Sequence, residues 1–280
     1  SSAASDVYKR QLLFRTMSSV HVQDLDFAPV SLYFAVAGGL FVVLLLAQGP
    51  SSKAAVIALS GIFSNTVMIG IPLVGLAYGK EGQVLLFTLI SLHALVLLTF
   101  ATVVLELLHA RELVASGAVP SRNRLATVFM AVRNAVVHPV PMPIIAGLLF
   151  AQTGWTLPDV VDRPLVLLGN AFGPVALVLV GVTLSQAAIG KHLKSALAVS
   201  VIKTLVHPAL MALVGYLCGL RGLSLSVLVV AASLPIGANV FLFSQRYQRA
   251  EELVTASVAV STLVALVSVT LVMTLMPLIA

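Results

Sequence analysis

Charge is what this chain has least of. Only 9% of its 280 residues are Asp, Glu, Lys or Arg while 59% are hydrophobic, a balance that cannot cover a water-facing surface. A soluble globular domain is thereby excluded. Cysteine is almost absent: Cys218, alone in an apolar stretch, closes no disulfide within the chain and suits neither a thiolate metal site nor a redox pair, so it reads as a small packing residue. Carboxylates are missing from the middle of every long apolar stretch, where cation pumps and proton antiporters place them. No pair of histidines or carboxylates has metal-ligand spacing, and no cofactor is expected. A nucleophile with its base is lacking as well. Ser64 and Ser233 do not sit in a nucleophile elbow, so a membrane-embedded protease or acyltransferase has no catalytic set and the chain is not expected to be an enzyme.

What is present is a series of apolar runs. Eight are visible, at about 28–47, 54–78, 83–108, 128–151, 163–185, 193–219, 223–245 and 252–279. Each approaches the ~20 residues that a helix needs to cross ~30 Å of hydrocarbon. The fold class is therefore an all-α polytopic membrane protein. No cleavable signal pattern precedes the spans, because the first eleven residues are polar and no apolar core of signal type follows them. The net charge of +6 is spread over short loops, which argues against nucleic acid and for a topology signal. Alternate loops carry Lys53; Arg111, Arg122, Arg124 and Arg133; Lys191 and Lys194; Arg246 and Arg249. The opposite set carries only Arg15, Lys80, Arg163 and Arg221. The positive-inside rule puts the first set in the cytoplasm of a plasma or inner membrane and the C-terminus outside.

Two of the spans are interrupted. Ser64-Asn65-Thr66-Val67-Met68-Ile69-Gly70-Ile71-Pro72 and Pro235-Ile236-Gly237-Ala238-Asn239 place proline, glycine and asparagine inside apolar helices. Proline removes a backbone donor and glycine weakens the helix, so both stretches should open the backbone at a depth where lipid offers no partner. Such breaks survive beside a cavity or against protein. In matching positions of two halves they mark a transporter built from repeats.

The halves do match. Span starts 28 and 193, 54 and 223, 83 and 251 differ by 165, 169 and 168, and an odd number of spans per copy makes consecutive copies inverted. Subtracting about 167 from Gly181-Val182-Thr183-Leu184-Ser185 lands on Phe14-Arg15-Thr16-Met17-Ser18, which predicts that the chain starts near the end of the second span of a longer first repeat. Residues 1–11 then read as a non-native tail, 12–110 as the remainder of the first repeat, 111–127 as a cytoplasmic loop and 128–280 as the second repeat.

At these residues the chain resembles the auxin efflux carrier family, in particular its bacterial branch of organic-anion carriers of the malonate and malate type. The likeness is carried by Ser64-Asn65-Thr66 through Gly70-Ile71-Pro72 with Tyr78-Gly79-Lys80-Glu81-Gly82 behind it, by Ser233-Leu234-Pro235-Ile236-Gly237-Ala238-Asn239-Val240-Phe241, and by Pro174-Val175-Ala176-Leu177 with Gly181-Val182-Thr183-Leu184. The resemblance implies ten helices in two inverted five-helix repeats, two broken helices that cross at a substrate site, homodimers, and an elevator-like movement without ATP hydrolysis. One departure stands at His138-Pro139, where asparagine-proline is usual.

The candidate crossover and substrate-binding residues are Asn65, Thr66, Gly70, Pro72, Pro235, Gly237 and Asn239. A helix resuming after a break presents free amide donors and a positive dipole end, which favour a carboxylate. The two asparagines either touch substrate or hold the broken backbones in shape. Lys203 is the one formal charge well inside a span. It can neutralise an anion, pair within the protein, or snorkel back toward Lys194. His207 lies four residues on, before Pro208, and is the candidate for proton coupling or a hydrogen-bonded core histidine; His93 has the same two readings. The reading is a secondary carrier of a small organic anion by alternating access, with a proton or sodium ion as candidate coupling ion. An anion channel and a cation:proton antiporter of related design are the alternatives.

Overall fold

Every regular element is a helix among the residues described by the computed structural model, which are 2–115 apart from 22 and 24, 129, 141–185 and 190–279. In chain order these are α1 (Ser2–Met17), α2 (Phe27–Ala47), α3 (Ser52–Ser60), α4 (Ile71–His93), α5 (Thr99–Ala115), α6 (Pro141–Gln152), α7 (Asp159–Ser185), α8 (Leu193–Val201), α9 (His207–Leu217), α10 (Gly222–Ser233), α11 (Asn239–Tyr247) and α12 (Glu251–Ile279). Wide π turns cover Thr66–Gly70, Ala94–Leu98 and Ile202–Val206. Most of the expected loop 111–127, the start of the fourth expected span, and His138-Pro139 lie outside the described residues.

Two of the π turns have a visible cause. Pro72 and Pro208 each fall two residues after a turn ends, and a proline cannot donate to the carbonyl four positions back, which here belongs to Met68 or Thr204 inside the turn. The backbone widens at that carbonyl instead of closing a normal α turn. α1 continues through residues 2–11, so the change of composition at Leu12 has no backbone counterpart.

Among the described residues, four helical stretches are long and apolar enough to cross a membrane: Phe27–Ala47, Thr66–Glu112, Leu193–Leu217 and Glu251–Ile279. The second has 47 residues, about 70 Å of helix, too long for one crossing. It is divided at Gly79, whose φ of 61° and ψ of −153° are non-helical and accessible mainly to glycine. The expected loop at 79–82 is thus reduced to a kink, beside which Lys80 and Glu81 remain exposed.

α1 packs on α6 and α7. Gly147 permits this: a Cβ there would lie 2.5 Å from the Phe14 carbonyl. The other helices form a second group in which α10 is central. Leu225 through Leu234 are all buried, because α10 is enclosed by α4, α9, α12 and α2 and is apolar all round. α4 touches α1, α6 and α7, placing it at the seam between the groups. Apolar side chains cover the outside as well, among them Leu76, Val160, Val267 and Leu278, as a lipid-facing surface requires.

Polar contacts gather the loops at two ends. At one, Arg15 meets Asp162. At the other, Glu112 meets Ser52 and Arg249, Glu106 meets Tyr247 and Arg246, and His192 meets Glu252. These groupings follow the alternation of loops in the sequence. The protein is an all-α, multi-pass integral membrane protein.

Candidate functional site

The two interrupted helices meet back to back. Between α3 and the π turn the chain is extended at residues 63–65, and between α10 and α11 it is extended at 235–237. The two segments pair as a minimal antiparallel bridge, Ser64 opposite Ile236. Asn65 N donates to the Pro235 carbonyl at 2.8 Å, and Gly237 N donates to the Phe63 carbonyl at 2.9 Å. Each break thus satisfies backbone groups of the other, which lipid could not do.

Gly237 is required by proximity: a Cβ would stand 2.8 Å from Phe63 Cδ1 and 3.0 Å from the Ser64 carbonyl. Pro235 sits in the extended stretch itself, where its missing N–H costs nothing. Pro72 is placed differently. The opening lies at 63–65, and Pro72 belongs to the first turn of α4 beyond the π turn.

The two asparagines separate in role. Asn65 Oδ1 accepts from Met68 N at 3.2 Å, while its carbonyl accepts from Gly70 N at 3.1 Å, so this side chain caps the resuming helix. Thr66 is buried beside it and donates its N–H to the Ser64 carbonyl. Asn239 opens α11 half-buried, and its amide has no hydrogen-bond partner among the described residues.

Lys203 does not snorkel. Its side chain is wholly buried, and Nζ donates to the carbonyls of Ala232 at 2.5 Å and Leu234 at 2.7 Å, at the C-terminal end of α10. Of the readings open to it from sequence, pairing within the protein describes this geometry. His207 is buried with both ring nitrogens unpartnered, and His93 is buried with a free Nε2. Both rings pack on Tyr33, at centroid distances of 5.5 and 6.1 Å. The Tyr33 hydroxyl lies 3.1 Å from Ser64 Oγ, which joins this layer to the first break. Ser261 Oγ accepts from Ile236 N at 3.1 Å and holds the second.

At the seam beside this crossover is a cavity of about 600 Å³. Ile71, Pro72 and Gly75 of α4 form one wall; Arg15, Lys80, Gln83 and Asn170, with Thr16 and Ser19, supply its polar side chains. A second cavity of about 460 Å³ shares Arg15, Ser19 and Lys80 with it and runs out among the exposed residues Gly154, Trp155 and Thr156. Arg15 Nε and Nη2 donate to the two Asp162 oxygens at 2.7 and 3.0 Å, and these bonds hold the Asp162 carboxyl below the usual carboxylate range. Lys80 has no ionic partner among the described residues.

Of the residues expected from sequence, only Pro72 reaches this cavity; the others belong to the crossover. Tyr33, Gln83, Asn170 and Ser261 escaped the sequence reading. For Gln83 and Asn170 the usable signal is the one that singled out Asn65, an amide in or beside an apolar span. Tyr33 and Ser261 carry none, because their roles depend on what they meet across the fold.

The membrane transport protein family matches residues 12–273. Among curated relatives, the chain is 24% identical over 242 residues to "Auxin efflux carrier component 8" of Arabidopsis thaliana, covering 73% of the chain and 66% of that protein. It is 26% identical over 268 residues to "Putative malonate transporter" of Rhizobium meliloti (strain 1021), covering 92% and 80%. An "Uncharacterized transporter" of Methanothermobacter thermautotrophicus is 27% identical over 208 residues, 74% of the chain and 63% of that protein. The chain thus spans just under two thirds of the plant and archaeal relatives. With a match running over nearly all its length, the chain belongs to the membrane transport protein family, the auxin efflux carrier family to which its interrupted helices pointed.

Proposed function

We propose that this protein is a secondary carrier of small organic anions, working by alternating access at the crossover. The observation that carries the reading is the cavity of about 600 Å³, in which Arg15 and Lys80 face the resuming helix of the first break at Pro72 and Gly75. Asp162 already engages Arg15, which leaves Lys80 as the cation of the chamber with no ionic partner among the described residues. An excess of positive charge in a partly dehydrated chamber attracts carboxylates more strongly than the same charge in water. Asn170 and Gln83 add uncharged donors.

The occupant we favour is a dicarboxylate such as malonate, in keeping with the name of the Rhizobium relative; an indole acid, after the plant relative, is the second candidate. On the positive-inside assignment the cavity faces outward, with the C-terminus also outside a cytoplasmic membrane. The group α1, α6 and α7 serves as a scaffold, and the crossover group moves against it within a homodimer. Each group takes helices from both of the inverted repeats. Asn65 and Thr66 keep the moving helix in shape, and Asn239, which does not line this cavity, offers its amide at the crossover as the anion passes from one side to the other.

Reconstituted protein loaded with unlabelled malonate should take up labelled malonate by saturable counterflow. Linear, non-saturating flux would make it a pore instead. Asn239→Ala should abolish counterflow while the protein still inserts and assembles; unchanged uptake in that variant would remove Asn239 from the path.

A further inference from the structure

The Lys203 side chain reaches the carbonyl end of α10 from a neighbouring helix. A helix ends with carbonyls that lack intrahelical partners and with about half a negative charge from its dipole. α10 ends in the middle of the molecule, away from water, and its terminal carbonyls need a positive partner there. Val230 O is taken by Ser233 Oγ and Pro235 O by Asn65 N. Ala232 O and Leu234 O converge on one point, and Lys203 Nζ sits on it. Two backbone oxygens converging at a helix end are the kind of ligand that holds sodium or potassium in membrane proteins.

No carboxylate pairs with Lys203 among the described residues, and every Asp and Glu lies outside the apolar spans or near the end of one. A buried charge without an opposite charge is costly, so the carbonyl end of α10 must compensate it. The π turn Ile202–Val206 shapes the backbone at Lys203, and α10 packs directly on that turn. Complete burial removes the ammonium from contact with a transported anion.

We infer that Lys203 is a tethered cation that permanently occupies a monovalent-cation site at the crossover, so that the broken end of α10 binds no sodium or potassium ion and the carrier is not coupled to either through this position. The consequence for coupling rests on the carrier reading above; the occupancy does not, and a melting experiment reports on it whatever the substrate.

The full protein in detergent should melt at the same temperature in sodium, potassium and choline chloride of equal ionic strength. Lys203→Ala, which empties the position, should lower the melting temperature by about 10 °C in choline. Sodium, potassium or methylammonium should restore at least half of that loss, since each fits where choline does not. Lys203→Met keeps the stem without the charge and should stay depressed in every salt. Selective stabilisation of the wild-type protein by sodium or potassium would overturn the inference, and this arm decides alone if neither variant folds. So would a Lys203→Met protein as stable as the wild type, or a Lys203→Ala deficit that no small cation reduces.

Discussion

Beyond the bonds that the two breaks share, the helix resuming after the first is capped by its own neighbouring residues, whereas the second is held by side chains from distant helices. Asn65 caps Met68 N three residues ahead, and its carbonyl accepts from Gly70 N, so the resuming helix is closed by local groups. At the second, Lys203 comes from between α8 and α9 to hold the carbonyls of Ala232 and Leu234, and Ser261 comes from α12 to hold Ile236 N. Asn239 is left without a protein partner. Two segments that look interchangeable as motifs therefore differ physically. One is a self-capped joint, and the other is braced from outside and leaves its amide available.

The largest effect should separate the glycines. Gly237→Ala forces a Cβ against the Phe63 ring and the Ser64 carbonyl, neither of which can move without breaking the bridge, and should cost about 3 kcal/mol or more. Gly70→Ala meets the tip of Leu234 at 2.9 Å, which can rotate, and should cost about 1 kcal/mol. Equal losses in detergent melts would mean that the crossover is not the tighter contact.

The asparagines come next. Asn65→Ala should lose a cap worth about 1 kcal/mol. Asn239→Ala should stay within about 0.5 kcal/mol of the wild type in stability yet lose malonate counterflow. If Asn239→Ala proved the more destabilising of the two, the contrast between a self-capped and a braced break would fail.

The smallest effect belongs to the seam. Bonds from Arg15 hold the Asp162 carboxyl below its ordinary range, so the stabilisation they give is present above the unfolded-state value and is lost as pH falls through the folded one. The melting difference between wild type and Asp162→Asn should therefore shrink as pH is lowered from neutrality toward about 3. A difference that grew on acidification would contradict the pairing.

Much of the fold was legible before any coordinates. Hydropathy placed α2 to within a residue and α12 likewise, because a helix in lipid must be apolar along its whole length. The breaks were legible because proline, glycine and asparagine are rare there, but their exact opening was not. The first interruption reads from sequence as Ser64 through Pro72, and the backbone parts only at the start of that stretch, at 63–65, where Asn65 N bonds to the Pro235 carbonyl and Phe63 lies opposite Gly237. In hindsight Pro208 was a clue of the same kind as Pro72, a proline two residues past a π turn. Lys80 was read as a topology charge and proves to line the cavity with Arg15.

Sequence by itself determined that this chain lives in a membrane, which family it resembles, and that two of its helices are interrupted, because the cost of polar groups in lipid is written position by position along the chain. Only the tertiary structure decided that Lys203 faces a helix end instead of the bilayer surface, that Asn65 is spent on a cap while Asn239 is not, and that Arg15 and Lys80 share one chamber. Those outcomes depend on which partner arrives from a distant helix, and hydrophobic burial, being non-directional, specifies that a span is buried without naming its neighbour.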